Sequence, residues 1–110
     1  MKKYRVHLAA QALDQLREVQ EYIVFTLQAP DAALQWLDHM EAAFSSLSTM
    51  PLRNPLLSRE PWHSMGVRSM LEKNFYVYYQ VDEDTATVWI AAVLYARRDQ
   101  LSQLEKLSLS

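Results

Sequence analysis

Tyr4, Val6 and Leu8 alternate with Arg5 and His7, the period-two pattern of a strand with one buried face. From about Ala9 the period changes. Leu13, Leu16, Gln20, Ile23 and Leu27 recur at three- and four-residue steps, with Asp14, Arg17, Glu18 and Glu21 mostly off that stripe. The spacing predicts an amphipathic helix of about five turns. Ala29-Pro30-Asp31 interrupts it. Proline in a first helical turn lacks only an N–H that has no helical partner, and an acid there suits the helix dipole. A second helix is predicted next, with Ala33, Trp36 or Leu37, Met40, Phe44 and Leu47 on one face. Ser45, Ser46, Ser48 and Thr49 weaken its end and Pro51 stops it. So short a break between two helices implies an antiparallel hairpin.

Residues 51–66 hold Pro51, Pro55, Pro61, the single glycine Gly66, Arg53, Arg59, Trp62 and His63, and are predicted to form an ordered loop. Residues 67–71 read as a short strand, and Glu72-Lys73-Asn74 as a turn. Phe75-Tyr76-Val77-Tyr78-Tyr79-Gln80-Val81 and Thr87-Val88-Trp89-Ile90-Ala91-Ala92-Val93-Leu94 then read as two long strands joined by the acidic turn Asp82-Glu83-Asp84-Thr85. Residues 88–93 carry apolar side chains on both faces, as a central strand does. Leu101, Leu104 and Leu107, three apart, predict a short helix over residues 98–107. The order β-α-α-β-β-β-α predicts an α+β fold, a small antiparallel sheet packed on the helical hairpin. Its 110 residues suit a single domain, 1–110.

Half the residues are hydrophobic and no apolar run approaches the roughly 20 residues a bilayer span requires. The basic N-terminus is followed by an alternating segment, not by the apolar core of a signal peptide. The absence of cysteine excludes disulfides and thiolate metal sites, and a cytoplasmic setting fits. A net charge of −2 argues against nucleic-acid binding by bulk charge, and no sequence-specific DNA binding by this chain alone is expected. The distribution is uneven. Residues 9–50 carry one arginine against six acids, whereas residues 51–73 carry four cations against two acids. No metal or cofactor is expected: His7, His39 and His63 lack ligand spacing, and one glycine allows no phosphate-cradling loop or nucleophile elbow.

Three segments together point to a family: Val67-Arg68-Ser69-Met70, the tyrosine-rich strand from Tyr76 to Asp82, and the aliphatic strand closing in Leu94-Tyr95-Ala96-Arg97-Arg98-Asp99. With the element order, they resemble the RelE/ParE toxins of bacterial type II toxin–antitoxin systems. The resemblance implies a curved sheet on a helical hairpin and a cognate antitoxin that wraps the toxin. It also implies one of two activities. RelE-like members enter the ribosome and cut mRNA; ParE-like members bind DNA gyrase and perform no chemistry. An inactive member kept as a partner-binding module is a third option.

By the same resemblance, Arg68 matches an arginine that touches the scissile phosphate in nuclease members, a task suited to its planar, permanently charged fork. Tyr95 occupies the place of a general acid or base. A phenol is a poor base unless cations depress its pKa, and Arg97 and Arg98 would supply that field. The nuclease reading therefore rests on Arg68, Tyr95 and Arg97, with Arg98, Arg53, Arg59 and His63 as binding residues. The alternative for each is structural: an arginine paired within the fold, a tyrosine packed at a strand end, a solvated pair heading the last helix. No carboxylate has an evident base role, Glu60 and Glu72 being the nearest by sequence. That gap, with the acidity of the chain and the missing lysine cluster, leans the reading toward a gyrase inhibitor. Trp62, Phe75, Tyr76 and Tyr78 are expected to form an exposed apolar seam that the antitoxin covers.

Overall fold

The computed structural model describes residues 2–107 and 109. Strand β1 spans Arg5–Leu8, helix α1 Ala10–Glu21 and helix α2 Pro30–Ser46. Strands β2 (Arg68–Glu72), β3 (Phe75–Asp82) and β4 (Thr87–Tyr95) follow, then helix α3 (Gln100–Glu105). The four strands lie in the order β1-β4-β3-β2. β2, β3 and β4 form the expected antiparallel meander, but β1 pairs with β4 in parallel. The helical hairpin carries the chain back across the sheet before the meander begins, so β1 enters in the direction of β4. Such a parallel pairing requires a long crossover.

The first helix departs from its predicted stripe. Ala12 and Leu16 are the buried residues of α1, whereas Leu13 and Leu27 are exposed. A π-helical segment, Tyr22–Thr26, follows α1 and widens the turn, so positions beyond it lose the 3.6-residue phase. Helix α2 matches its predicted face: Ala33, Met40, Phe44 and the capping residue Leu47 are buried.

Each face of the sheet carries a core, the second over only part of its area. On the hairpin side Leu16, Met40, Phe44 and Leu47 pack against Val77, Tyr79, Val88, Ile90 and Val93. On the other side Trp62, Val67, Tyr78, Ala92, Leu94 and Leu104 form a second core. The aromatic seam expected to await a partner is therefore covered from within. Trp62 and Tyr78 are buried and Tyr76 half-buried beneath the 51–66 loop and α3, whereas Phe75 faces the hairpin and is half-buried against Trp36.

A β-bulge decides which side chains reach which core. Tyr78 pairs with Ala92 but Tyr79 pairs with Ile90, leaving Ala91 as the extra residue. Even-numbered Val88 and Ile90 face the hairpin before the bulge, and odd-numbered Val93 faces it afterwards. Gln15 Oε1 on α1 accepts the Val93 N–H at 2.8 Å just beyond this irregularity.

Candidate functional site at the end of the sheet

Tyr95 closes β4 on the hairpin side, opposite Phe75. The two rings are 5.3 Å apart, and Phe75 in turn lies 5.2 Å from Trp36 of α2. These tilted aromatic contacts hold Tyr95 at 36% exposure. Trp36 Nε1 is buried without a hydrogen-bond partner among the described residues, so this indole acts as a hydrophobe. On the far side of Phe75 stands Glu72, whose carboxylate is 3.0 Å from His39 Nε2 of α2. The sequence left the strand end without a carboxylate partner; folding brings Glu72 into the row of Tyr95 and adds His39. No local signal marked His39, because its partner is 33 positions away.

Arg68 lies elsewhere. It opens β2 opposite Tyr79, in the row of Ile90, whereas Tyr95 is in the row of Glu72. Four residues along and two strands across place the two Cα atoms about 16 Å apart. The Arg68 guanidinium donates to the carbonyls of Asn54 (2.7 Å) and Leu52 (3.3 Å). Beside it, the Tyr79 hydroxyl donates to the Pro51 carbonyl at 2.6 Å and accepts from Asn54. Together they pin the Pro51–Arg53 turn onto the sheet. Burial pushes the Tyr79 phenol up, against the opposing influence of Asn54 and of the Arg68 and Arg53 charges.

Arg53, though exposed, folds back on the chain and donates to the Ser46, Thr49 and Met50 carbonyls at the end of α2. A cation there satisfies orphan carbonyls and suits the negative end of the helix dipole. His63 Nδ1 is 2.8 Å from the Leu57 carbonyl, which makes that nitrogen the donor. Glu60 accepts from the Ser64 hydroxyl and amide, which lower its pKa. Arg59 is exposed at the rim of the clefts beside Trp62. Arg97 and Arg98 are exposed but do not head the last helix as expected. Asp99 is its N-cap, accepting from the Ser102 amide, and the helix starts at Gln100. The structure thus gathers Tyr95, Arg97 and Arg98 at one corner and sets Arg68 apart from them in the sheet, while Arg59 lines a cleft with Gln100, whose amide donates to the Tyr95 and Arg98 carbonyls. Among the described residues no group of three or more His, Cys, Asp or Glu is placed to hold a metal ion. No helix is long and apolar enough to cross a membrane.

This architecture recurs in solved toxin structures. The chain is 26% identical to a chain of the toxin–antitoxin complex RelBE2 from Mycobacterium tuberculosis, over 84% of this chain and 98% of that one, with a TM-score of 0.60. A chain of the chromosomal ParDE toxin–antitoxin system of P. aeruginosa superposes with a TM-score of 0.70 at 18% identity, over 88% of this chain and 100% of that one. Free E. coli toxin RelE, a mutant form, gives 0.59 at 13% identity, over 92% of each chain. The fold is thus that of the RelE/ParE toxins. No curated protein matches the sequence. The family described as "ParE toxin of type II toxin-antitoxin system, parDE" matches residues 6–100. The chain belongs to this family and is a type II toxin–antitoxin toxin of the RelE/ParE group.

Proposed function

We propose that this chain arrests growth as a ParE-like inhibitor of DNA gyrase and is neutralised by a cognate antitoxin. One observation carries the choice of target: the groups a nuclease would need are not assembled. Arg68 is hydrogen-bonded to two loop carbonyls, its Cα about 16 Å from that of Tyr95, and the Tyr95 ring packs at a tilt against Phe75. General acid–base work demands groups within hydrogen-bond reach of one reacting phosphate. The match to the ParE toxin family supports the same target, and the toxin–antitoxin complexes among the neighbours support the partner. The hairpin offers a surface for such a role. Phe25, in the π-helical segment, is 74% exposed, with Tyr22, Leu27 and Leu34 also exposed, and apolar exposure of that kind marks protein contacts.

Induction in a close relative of the source, with and without the small protein encoded beside this chain, tests the proposal. Growth should slow without that protein and recover with it. DNA-damage signalling should rise while translation continues, and purified chain should block gyrase supercoiling. Unchanged growth under strong induction sinks the toxin reading in its active form.

A second reading, a RelE-like mRNA endonuclease, is favoured by one feature. Glu72, paired with His39, lies in the same row as Tyr95 two strands across, which brings an imidazole and a carboxylate to that end of the sheet. Cleavage of ribosome-bound mRNA on induction, lost in Tyr95→Phe, would establish it in place of the first.

A further inference from the structure

The second face of the sheet is covered over only part of its area. Trp62 and Leu104 close over Tyr78, Ala92 and Leu94, but the rows beyond the bulge, toward the start of β4, lie open. There Thr87 and Ala91 are buried, but Trp89 stands between them on a central strand and is nevertheless 46% exposed. Its neighbours across β4 are His7 on β1, with ring centroids 5.1 Å apart, and Gln80 on β3. A large aromatic at the middle of a sheet is ordinarily buried, so its exposure here marks a contact surface.

Trp89 lines a cleft of about 750 Å³ whose floor includes Ala91 and Met65 and whose rim includes Asp82, Glu83 and Asp84. The rim acids are not equivalent. Glu83 is engaged by Lys2 at 3.4 Å and by the Tyr4 hydroxyl. Asp82 caps the turn, accepting from the Asp84 and Thr85 amides. The Asp84 carboxylate has no partner among the described residues. Alternation along β1 puts Arg5 on this face as well, at the Thr87 row. Its charge lies at the β1 side, so the turn carboxylates are where a cation is drawn. An exposed indole beside a free carboxylate suits a guanidinium, which stacks flat on the ring while its edge reaches the acid. Ala91 beside the ring leaves room for the aliphatic stem, and Met65 offers it an apolar contact. A phosphate backbone would meet three carboxylates at the rim.

We propose that this cleft seats an arginine-bearing segment of the cognate antitoxin, with the guanidinium stacked on Trp89 and paired with Asp84. The proposal rests on the toxin–antitoxin reading above. It places the antitoxin contact on the sheet face opposite the helical hairpin.

The test titrates the purified chain with the purified small protein encoded beside it. Wild type, Trp89→Ala, Trp89→Phe and Asp84→Asn are compared at two salt concentrations, with circular dichroism as the check on folding. Trp89→Ala should weaken binding about tenfold and Trp89→Phe less, since a benzene ring keeps part of the cation–π attraction. Asp84→Asn should weaken binding severalfold and flatten the salt dependence. If wild type binds while Trp89→Phe and Asp84→Asn bind equally well at both salts, the cleft is not the seat, and the toxin–antitoxin reading survives. Those two variants decide even if Trp89→Ala fails to fold. If wild type does not bind the neighbouring protein, the antitoxin reading falls and the proposal with it. Self-association that Trp89→Phe abolishes would give the cleft to a second copy and overturn the proposal.

Discussion

Arg68 and Tyr95 show how position in the sheet assigns work to a side chain. Both are polar groups at strand ends, yet one is turned to loop carbonyls and the other to an aromatic stack. Arg68→Ala leaves the partly exposed Leu52 and Asn54 carbonyls without their donor, so stability should fall by about 1 kcal/mol. Urea unfolding checks this, and an unchanged midpoint would contradict the structural role. Tyr95→Phe keeps the ring area that packs on Phe75, so toxicity and stability should both stay near wild type. Loss of toxicity in that variant, with the fold intact, would instead favour the ionisable oxygen and hence nuclease chemistry.

The elements fix where the chain can make contacts. The π-helical segment after α1 rotates the apolar positions beyond it, leaving Phe25 and Leu27 in solvent. Phe25→Ala should change stability by no more than about 0.5 kcal/mol, as surface substitutions do. Toxicity should fall if the hairpin meets the target. A fully toxic Phe25→Ala chain would remove that surface from consideration. The bulge at Ala91 works differently, inverting the facing of every later residue in β4. Gln15 supports it by accepting the Val93 amide. Gln15→Ala should cost about 1 kcal/mol and lower the melting temperature by several degrees for a domain of this size. Calorimetry on the purified variant gives the answer.

At the scale of the whole molecule, each sheet face buries a tyrosine in its own core, Tyr79 toward the hairpin and Tyr78 toward α3. Burial pushes the Tyr78 phenol up to about 12 and raises Tyr79 as well, from an ordinary value of 10.0. A phenol that keeps its proton longer in the folded chain than in the unfolded chain contributes stability below pH 10. That contribution is lost as pH rises from 10 toward 12. Urea midpoints should therefore drop across this window, and part of the phenolate absorbance should appear only with unfolding. A flat midpoint from pH 9 to 12 would contradict burial of the two hydroxyls.

Much of this architecture was legible in the chain, because periodicity and chain breakers act locally. The strand at Val6, the buried stripe of α2, its end in the serine-rich stretch before Pro51, the tyrosine-rich hairpin and the leucines of α3 all follow from neighbours within a few residues. The family resemblance likewise rests on contiguous segments. What the sequence left open depends on pairing between distant segments. Parallel insertion of β1 beside β4, closure of Trp62 and α3 over Tyr78, and the meeting of His39 with Glu72 have no local signature. One extra residue at Ala91 decides that Tyr95 stacks on Phe75 and not on the opposite face. Side-chain alternation along a strand is set by sequence, but its phase relative to a core is set only when the strands register against one another.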